Sequence, residues 1–114
     1  MSRATDDVLA ERARQVLAEG WSPEHDDTHV NGELALAGAA YAIHSSAVLV
    51  PPPEEDKPSL RYSLMAHASG AWPWQFGMKP KSPRFNLIRA AALIIAEIER
   101  IDRASASQAE EIKK

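Results

Sequence analysis

Two histidines and several carboxylates lie close together early in the chain, and side chains of these types bind divalent metal ions. Nine consecutive residues contain five of them: His25, Asp26, Asp27, His29 and Glu33. On a helix, His25 and His29 would share a face, as would His29 and Glu33, because each pair is four residues apart. Carboxylate oxygens suit Mg²⁺ or Mn²⁺. The sequence therefore allows a metal site at His25, Asp26, Asp27, Glu33 and, from a later helix, Glu97.

The same cluster has an alternative, purely structural interpretation. Asp26 or Asp27 would cap a helix, and the histidines would hydrogen-bond to water or to the backbone. Glu97 would pair with an arginine, either Arg12 or Arg100. Trp21 would anchor the corner between two helices.

A second group combines aromatic and basic side chains within thirteen residues: Trp72, Trp74, Phe76, Lys79, Lys81 and Arg84. Aromatic faces stack on nucleobases, and Lys or Arg pair with phosphates. The combination suits a nucleotide-like ligand. The residues predicted to bind it are Trp21, His25, Asp26, Asp27, Trp72, Trp74, Lys79 and Arg84. Alternatively, the tryptophans only attach a loop to the helices, and the lysines keep that loop solvated.

Helical signals dominate the segments that would position these groups. Residues 5–19 carry apolar side chains at helical spacing and end at Gly20, and Ser22-Pro23 is a typical helix start. A second helix covers 32–44, unless one continuous helix runs from Pro23 to His44. Residues 45–82 contain several prolines and are predicted to form a long loop, in which residues 60–65 are either a short strand or a helical turn.

The third helix is predicted at 83–104, with Ser82 as its cap and Pro83 in its first position. Its residues Leu87, Ala91, Ile94, Ile98 and Ile101 step by four and three, which is a heptad-like apolar seam. Residues 105–114 form a polar tail, either a frayed helical continuation or disordered. The predicted fold is mainly α: one three-helix domain over 1–104, with a Pro/Trp-rich loop between the second and third helices.

Composition narrows the function classes. The chain has 114 residues, no cysteine and a formal net charge of −3. A mildly acidic chain without a basic surface argues against nucleic-acid binding. No apolar run is long enough to span a membrane, and the N-terminus lacks a signal-peptide pattern, so we expect a cytoplasmic location. The seam and the small-residue second helix are hard to cover in a monomer, which predicts a homo-oligomer.

Several stretches resemble small proteins encoded by tailed phages and prophages. The matching runs are EGWSPEHDD at 19–27, GELA at 32–35, AAYA at 39–42, WPW at 72–74 and LIRAAALIIAEIERIDR at 87–103. The resemblance implies a phage accessory protein that acts by binding a nucleotide-like ligand or a host protein, for example in counter-defence, rather than an enzyme. The phage setting implies that the cytoplasm is that of the host cell. Glu33 on one helix, with Glu97 and Asp102 on another, resembles the acid layout of all-α nucleotide pyrophosphohydrolases of the MazG type. This second resemblance implies the alternative: a metal-dependent nucleotide hydrolase.

Overall fold

The computed structural model of the protein describes residues 2–51, 54 and 59–113. Over these residues the chain forms five helices and no β-strand: α1 (Arg3–Ala18), α2 (Pro23–Asp26), α3 (Glu33–Leu49), α4 (Leu60–Ala71) and α5 (Pro83–Lys113). The prediction of a mainly helical fold is confirmed. The predicted number of three helices is too low, because α2 and α4 are additional elements.

Three predicted helix boundaries hold because a local cap decides them, whereas α1 begins at Arg3 behind the cap Ser2, two residues before its predicted start. Gly20 follows α1 with a φ of 71°, in the left-handed region that glycine enters cheaply. The Ser22 hydroxyl accepts a hydrogen bond from the His25 backbone N–H, and Pro23 is the first residue of α2. The Ser82 hydroxyl likewise accepts from the Phe85 N–H at 3.3 Å, where α5 begins. Each signal lies within four residues of the helix end that it specifies.

The alternative prediction of one continuous helix from Pro23 to His44 is wrong. The chain leaves helical geometry after Asp26, and α3 begins at Glu33 behind Gly32, whose φ is 81°. A left-handed residue interrupts the helical hydrogen-bond pattern, so the short α2 and the long α3 are separate elements. His29 therefore lies in the connection between them.

The predicted loop at 45–82 is much shorter than expected. Helix α3 extends to Leu49, and α4 occupies 60–71. The Arg61 side chain of α4 donates hydrogen bonds to the carbonyls of Ala47 (3.0 Å) and Val50 (3.3 Å), which lie at the end of α3. These contacts satisfy carbonyls that a helix end leaves free. Of the two alternatives left open for residues 60–65, a short strand or a helical turn, the helix is found, and the Ser59 hydroxyl caps it by accepting from the Tyr62 N–H. The parts of the predicted loop at 52–53 and 55–58 lie outside the described residues.

The predicted polar tail continues α5 as a helix to Lys113, and its side chains from 105 to 113 are exposed. Of the two predicted alternatives, the helical continuation is therefore found, while Lys114 lies outside the described residues. Ala, Gln and Glu are strong helix formers, so this segment needs no tertiary packing to extend an existing helix.

The core forms where α3 packs against α5. Leu34, Ala37 and Tyr41 of α3 meet three buried residues of α5: Ala90, Leu93 and Ala96. A β-carbon built on Gly38 would lie 3.1 Å from the Ala90 carbonyl oxygen and 3.1 Å from Ile94 Cγ1. The small side chains therefore bring the two helix backbones into close contact.

The apolar seam of α5 does not form this core. We call its residues Leu87, Ala91, Ile94, Ile98 and Ile101 the α5 stripe. Leu87, Ile94, Ile98 and Ile101 are 45%, 44%, 53% and 49% exposed, respectively. The buried residues of α5, which include Asn86, Arg89 and Leu93, lie on another face of the helix. The outward face of α5 is therefore apolar.

We predict that Gly38→Ala and Gly70→Ala differ in the sign of their effect on stability. Both replace a helical glycine, and the gain in helix propensity is about 1 kcal/mol at either position. At Gly70 no atom lies within 4 Å of the new methyl group, so that variant is stabilised. At Gly38 the methyl group crowds the Ala90 backbone, and overpacking costs about 1–3 kcal/mol. Urea unfolding of both variants measures the difference, and equal stabilisation would contradict this account of the helix contact.

Candidate functional site

Six aromatic rings from separate parts of the chain form one cluster, which we call the aromatic cluster: Trp21, His29, Tyr41, Trp72, Trp74 and Phe76. The Trp72 and Trp74 ring centroids lie 5.2 Å apart, and Trp74 lies 5.9 Å from Trp21. Trp72 meets Tyr41 edge-on at 5.4 Å, whereas Trp74 stacks on Phe76 at 5.3 Å. The indole N–H of Trp72 donates to the Phe76 carbonyl at 2.6 Å, which fixes the turn carrying both tryptophans. The predicted Trp72–Trp74–Phe76 group is therefore assembled against Trp21.

Arg89 of α5 lies beside this cluster, and only 8% of its surface is exposed. Its Nη1 donates to the Tyr41 hydroxyl at 3.0 Å and to the Lys79 carbonyl at 3.1 Å. The guanidinium also lies 5.2 Å from the Tyr41 ring centroid and 4.8 Å from that of Phe85. Its buried Nε has no hydrogen-bond partner. No carboxylate in the described part of the chain forms an ion pair with Arg89, so this buried cation lacks a counterion.

A cavity of about 310 Å³, which we call the aromatic cavity, opens between the rings and Arg89. Its lining residues are Glu19, Trp21, Tyr41, Trp72, Phe76, Gly77, Lys79 and Arg89. Trp21, Trp72 and Lys79 were predicted from sequence to bind a ligand, and Trp74 contacts three of the lining rings. Tyr41 and Arg89 were not predicted. Arg89 lies four residues before Leu93 and so shares its face. The sequence did not reveal this, because it predicted the α5 stripe, and not the Leu93 face, as the packing face.

The two predicted histidines lie at the edge of the aromatic cluster. Their Nε2 atoms are 3.3 Å apart, and the His29 ring is 5.3 Å from that of Trp74. His29 Nδ1 also lies 3.3 Å from a carboxylate oxygen of Glu33. The predicted row of His25, His29 and Glu33 thus exists, although a turn rather than a continuous helix assembles it. Neither histidine lines the aromatic cavity.

The predicted acids are engaged by basic side chains. Asp26 is fully buried and lies 2.6 Å from the Arg12 guanidinium, which also bonds Glu99 at 3.2 Å. Asp27 lies 2.8 Å from Arg103. The hydrogen bond that Arg103 donates to Asp27 is the main cause that raises the pKa of the Arg103 guanidinium. These pairs join the short α2 to α1 and to α5.

The other acid proposed as a metal ligand, Glu97, pairs with Arg100 one turn along α5. Among the residues that the structure describes, no three or more His, Cys, Asp or Glu side chains are grouped so that they could hold a metal ion. Arg84 is also apart from the aromatic cavity: its guanidinium lies 2.8 Å from Asp7 of α1. Of the predicted ligand-binding residues, Asp26, Asp27 and Arg84 therefore make contacts between helices.

Comparison with protein-family models, with curated proteins and with solved structures found no match to this chain. The resemblance to phage proteins stays a prediction from the sequence. Within the described residues, none of the helices has the length and apolarity that crossing a membrane requires. A functional hypothesis must therefore rest on the geometry of the site.

We predict that Asp26 and Asp27 differ sharply in their importance for stability. Asp26→Asn leaves the nearly buried Arg12 without its closest anionic partner, and breaking a buried pair costs about 3–5 kcal/mol. The Asp27 side chain is 48% exposed, so Asp27→Asn should cost at most about 1 kcal/mol. Chemical denaturation of the two variants tests this ranking. Equal, small effects would show that Asp26 is not the anchor of α2.

Proposed function

We propose that this protein binds a small ligand that carries both a planar ring and an anionic group, such as a nucleotide, in the aromatic cavity. The observation that carries the proposal is Arg89, a buried guanidinium without a carboxylate partner at the wall of that cavity. The phage accessory setting, including a counter-defence role, comes from the sequence resemblance and is part of the proposal.

The charge of Arg89 supports an anionic ligand. Burying an unpaired charge is expensive, and the described part of the chain avoids that cost elsewhere. The buried acids Glu11, Asp26 and Glu97 each pair with an arginine. Arg89 contacts a hydroxyl, a carbonyl and two ring faces, and the carboxylate in the cavity lining, Glu19, pairs with Arg14 instead. A phosphate or carboxylate would supply the missing countercharge, and the planar guanidinium favours such groups.

The rings support a planar ligand. Trp21, Trp72 and Phe76 line the cavity, and Phe76 is an exposed side chain at its edge. Stacking on an aromatic side chain contributes about 1–3 kcal/mol per base. The cavity volume of about 310 Å³ is at the lower end of the range for small-molecule sites. One base with its sugar and phosphate is therefore a better match than a polymer.

The position of Lys79 adds a second cationic group. Its side chain is exposed, while its backbone N–H donates to the Tyr41 hydroxyl at 3.1 Å and its carbonyl accepts from Arg89. The backbone is thus fixed, and the ammonium remains available at the cavity wall. For a ligand, Arg89 would be a rigid hydrogen-bond donor and Lys79 a mobile positive charge.

We expect Arg89→Met to lose nucleotide binding. Hydrogen bonds to a charged group contribute about 1.5–3 kcal/mol, so affinity should fall by about 10- to 100-fold. Calorimetric titration with mononucleotides, cyclic nucleotides and the matching nucleosides measures this loss and separates the contribution of the phosphate from that of the base. Arg103→Met is the matched control, because it removes an arginine of the same helix that pairs with Asp27 instead.

Three outcomes would overturn the proposed function. These are a wild-type protein that binds no member of the panel, an Arg89→Met variant that binds as tightly as wild type, and nucleosides that bind as well as nucleotides. A ligand at 100 times its dissociation constant stabilises the fold by about 2.7 kcal/mol, so a thermal-shift screen would detect a binder before titration. A protein from the host cell would then become the main candidate partner.

The alternative of a metal-dependent nucleotide hydrolase makes a separate prediction. Since Asp26, Asp27 and Glu97 are held by arginines, we expect Mg²⁺ and Mn²⁺ to leave the melting temperature unchanged. The Mn²⁺ response of wild type, Asp27→Asn and Glu97→Gln is compared by thermal shift. Stabilisation of wild type by Mn²⁺ that both substitutions abolish would favour the hydrolase over simple binding.

A further inference from the structure

The α5 stripe is an apolar surface that the described part of the chain covers only in part. Leu87, Ile94, Ile98 and Ile101 are each about half exposed, although they belong to the longest helix of the fold. Helix α3 packs on the face that carries Leu93, and α1 reaches another face through the Arg12–Glu99 pair. Ile94 also touches α3, since its Cγ1 lies 3.1 Å from a β-carbon built on Gly38, but the stripe otherwise lies on the side of α5 that both neighbouring helices leave free.

The spacing of the stripe indicates what would cover it. Steps of four, three, four and three residues keep its side chains in line, as in a helix that packs along a second helix. The stripe runs over about 21 Å at about 1.5 Å per residue. We propose that a second copy of this chain covers it, with the two α5 helices antiparallel around a two-fold axis near Ile94. This proposal is independent of ligand binding in the aromatic cavity.

Charged residues beside the stripe favour a second copy of the chain and an antiparallel arrangement of the two α5 helices. Arg84 and Asp102 are 18 residues apart. That separation is about five helical turns, so both lie on the same edge of α5. Arg84 lies just before the first residue of the stripe, and Asp102 just after the last. An antiparallel pair would bring Arg84 of each copy beside Asp102 of the other. A parallel pair would instead place the two Arg84 side chains at one level and the two Asp102 side chains at another.

Asp102 is available for such a contact. It is exposed, and no basic side chain in the described ranges pairs with it. Arg84 is also exposed and bonds Asp7 through Nη2, which leaves other donors of its guanidinium free. A two-fold interface uses the same patch on both copies, so one stripe and two reciprocal ion pairs suffice to form it. Because the stripe is short, the dimer should be a weak one that forms at micromolar concentration.

Sedimentation equilibrium of the full chain tests the association. We expect the mass to rise from one chain towards two between low and high micromolar concentration. Ile98→Glu should remain monomeric, because it places a charge in the middle of the interface. Leu17→Glu is the control: Leu17 is an exposed apolar residue on α1, away from the stripe. A monomeric wild type, or an Ile98→Glu variant that dimerises like wild type, would overturn the proposal. Circular dichroism checks that both variants fold.

Two further measurements test the orientation. Arg84→Asp and Asp102→Arg should each weaken the dimer, and the double exchange should restore it. The natural chain contains no cysteine, so single cysteines report pairing directly. Oxidation of a mixture of Leu87→Cys and Ile101→Cys chains should cross-link one type to the other. Preferential cross-linking of each type to itself, without rescue by the double exchange, would overturn the antiparallel arrangement.

Discussion

Helices α3 and α5 touch along a line of small residues, and Gly38 sets how closely they approach. A methyl group at this position would already crowd the Ala90 carbonyl oxygen and Ile94 at 3.1 Å. The close approach brings the Tyr41 hydroxyl to 3.0 Å from the Arg89 guanidinium. Without this contact, Arg89 would lose the Tyr41 hydroxyl as one of its hydrogen-bond acceptors, and the aromatic cavity would lose one wall.

The irregular segment between α4 and α5 depends on the same contact. The Tyr41 hydroxyl accepts from the Lys79 N–H, and the buried Asn86 side chain bonds both the N–H and the carbonyl of Lys81. These bonds satisfy backbone groups that have no partner within a helix. They hold Trp72 and Trp74 over the core, so a segment without regular structure can provide walls of a defined cavity.

The acids of the His/Asp cluster near the N-terminus have a structural role, which is to hold helix α2 in place. A four-residue helix cannot hold itself, since helix formation has a costly nucleus. Helix α2 is held instead by Asp26 on Arg12 and by Asp27 on Arg103. The acids that look most like a metal site in the sequence are thus contacts between helices, while the strongest candidate for binding chemistry, Arg89, lies in a run of apolar residues.

The sequence by itself determined what a few neighbouring residues decide. It predicted the helical class, the boundaries at Gly20, Ser22-Pro23 and Ser82-Pro83, and the Glu97–Arg100 pair as one of two alternatives. Caps and pairs one turn apart are local, so they can be read from spacing. Tertiary structure decided the rest. The Arg61 side chain of α4 bonds the Ala47 carbonyl near the end of α3, and burial against Tyr41 makes Arg89 a buried cation. The outward direction of the α5 stripe depends on which face of α5 the small residues of α3 occupy. These contacts join residues 14 to 48 positions apart, a separation over which spacing in the sequence carries no information about which partners meet.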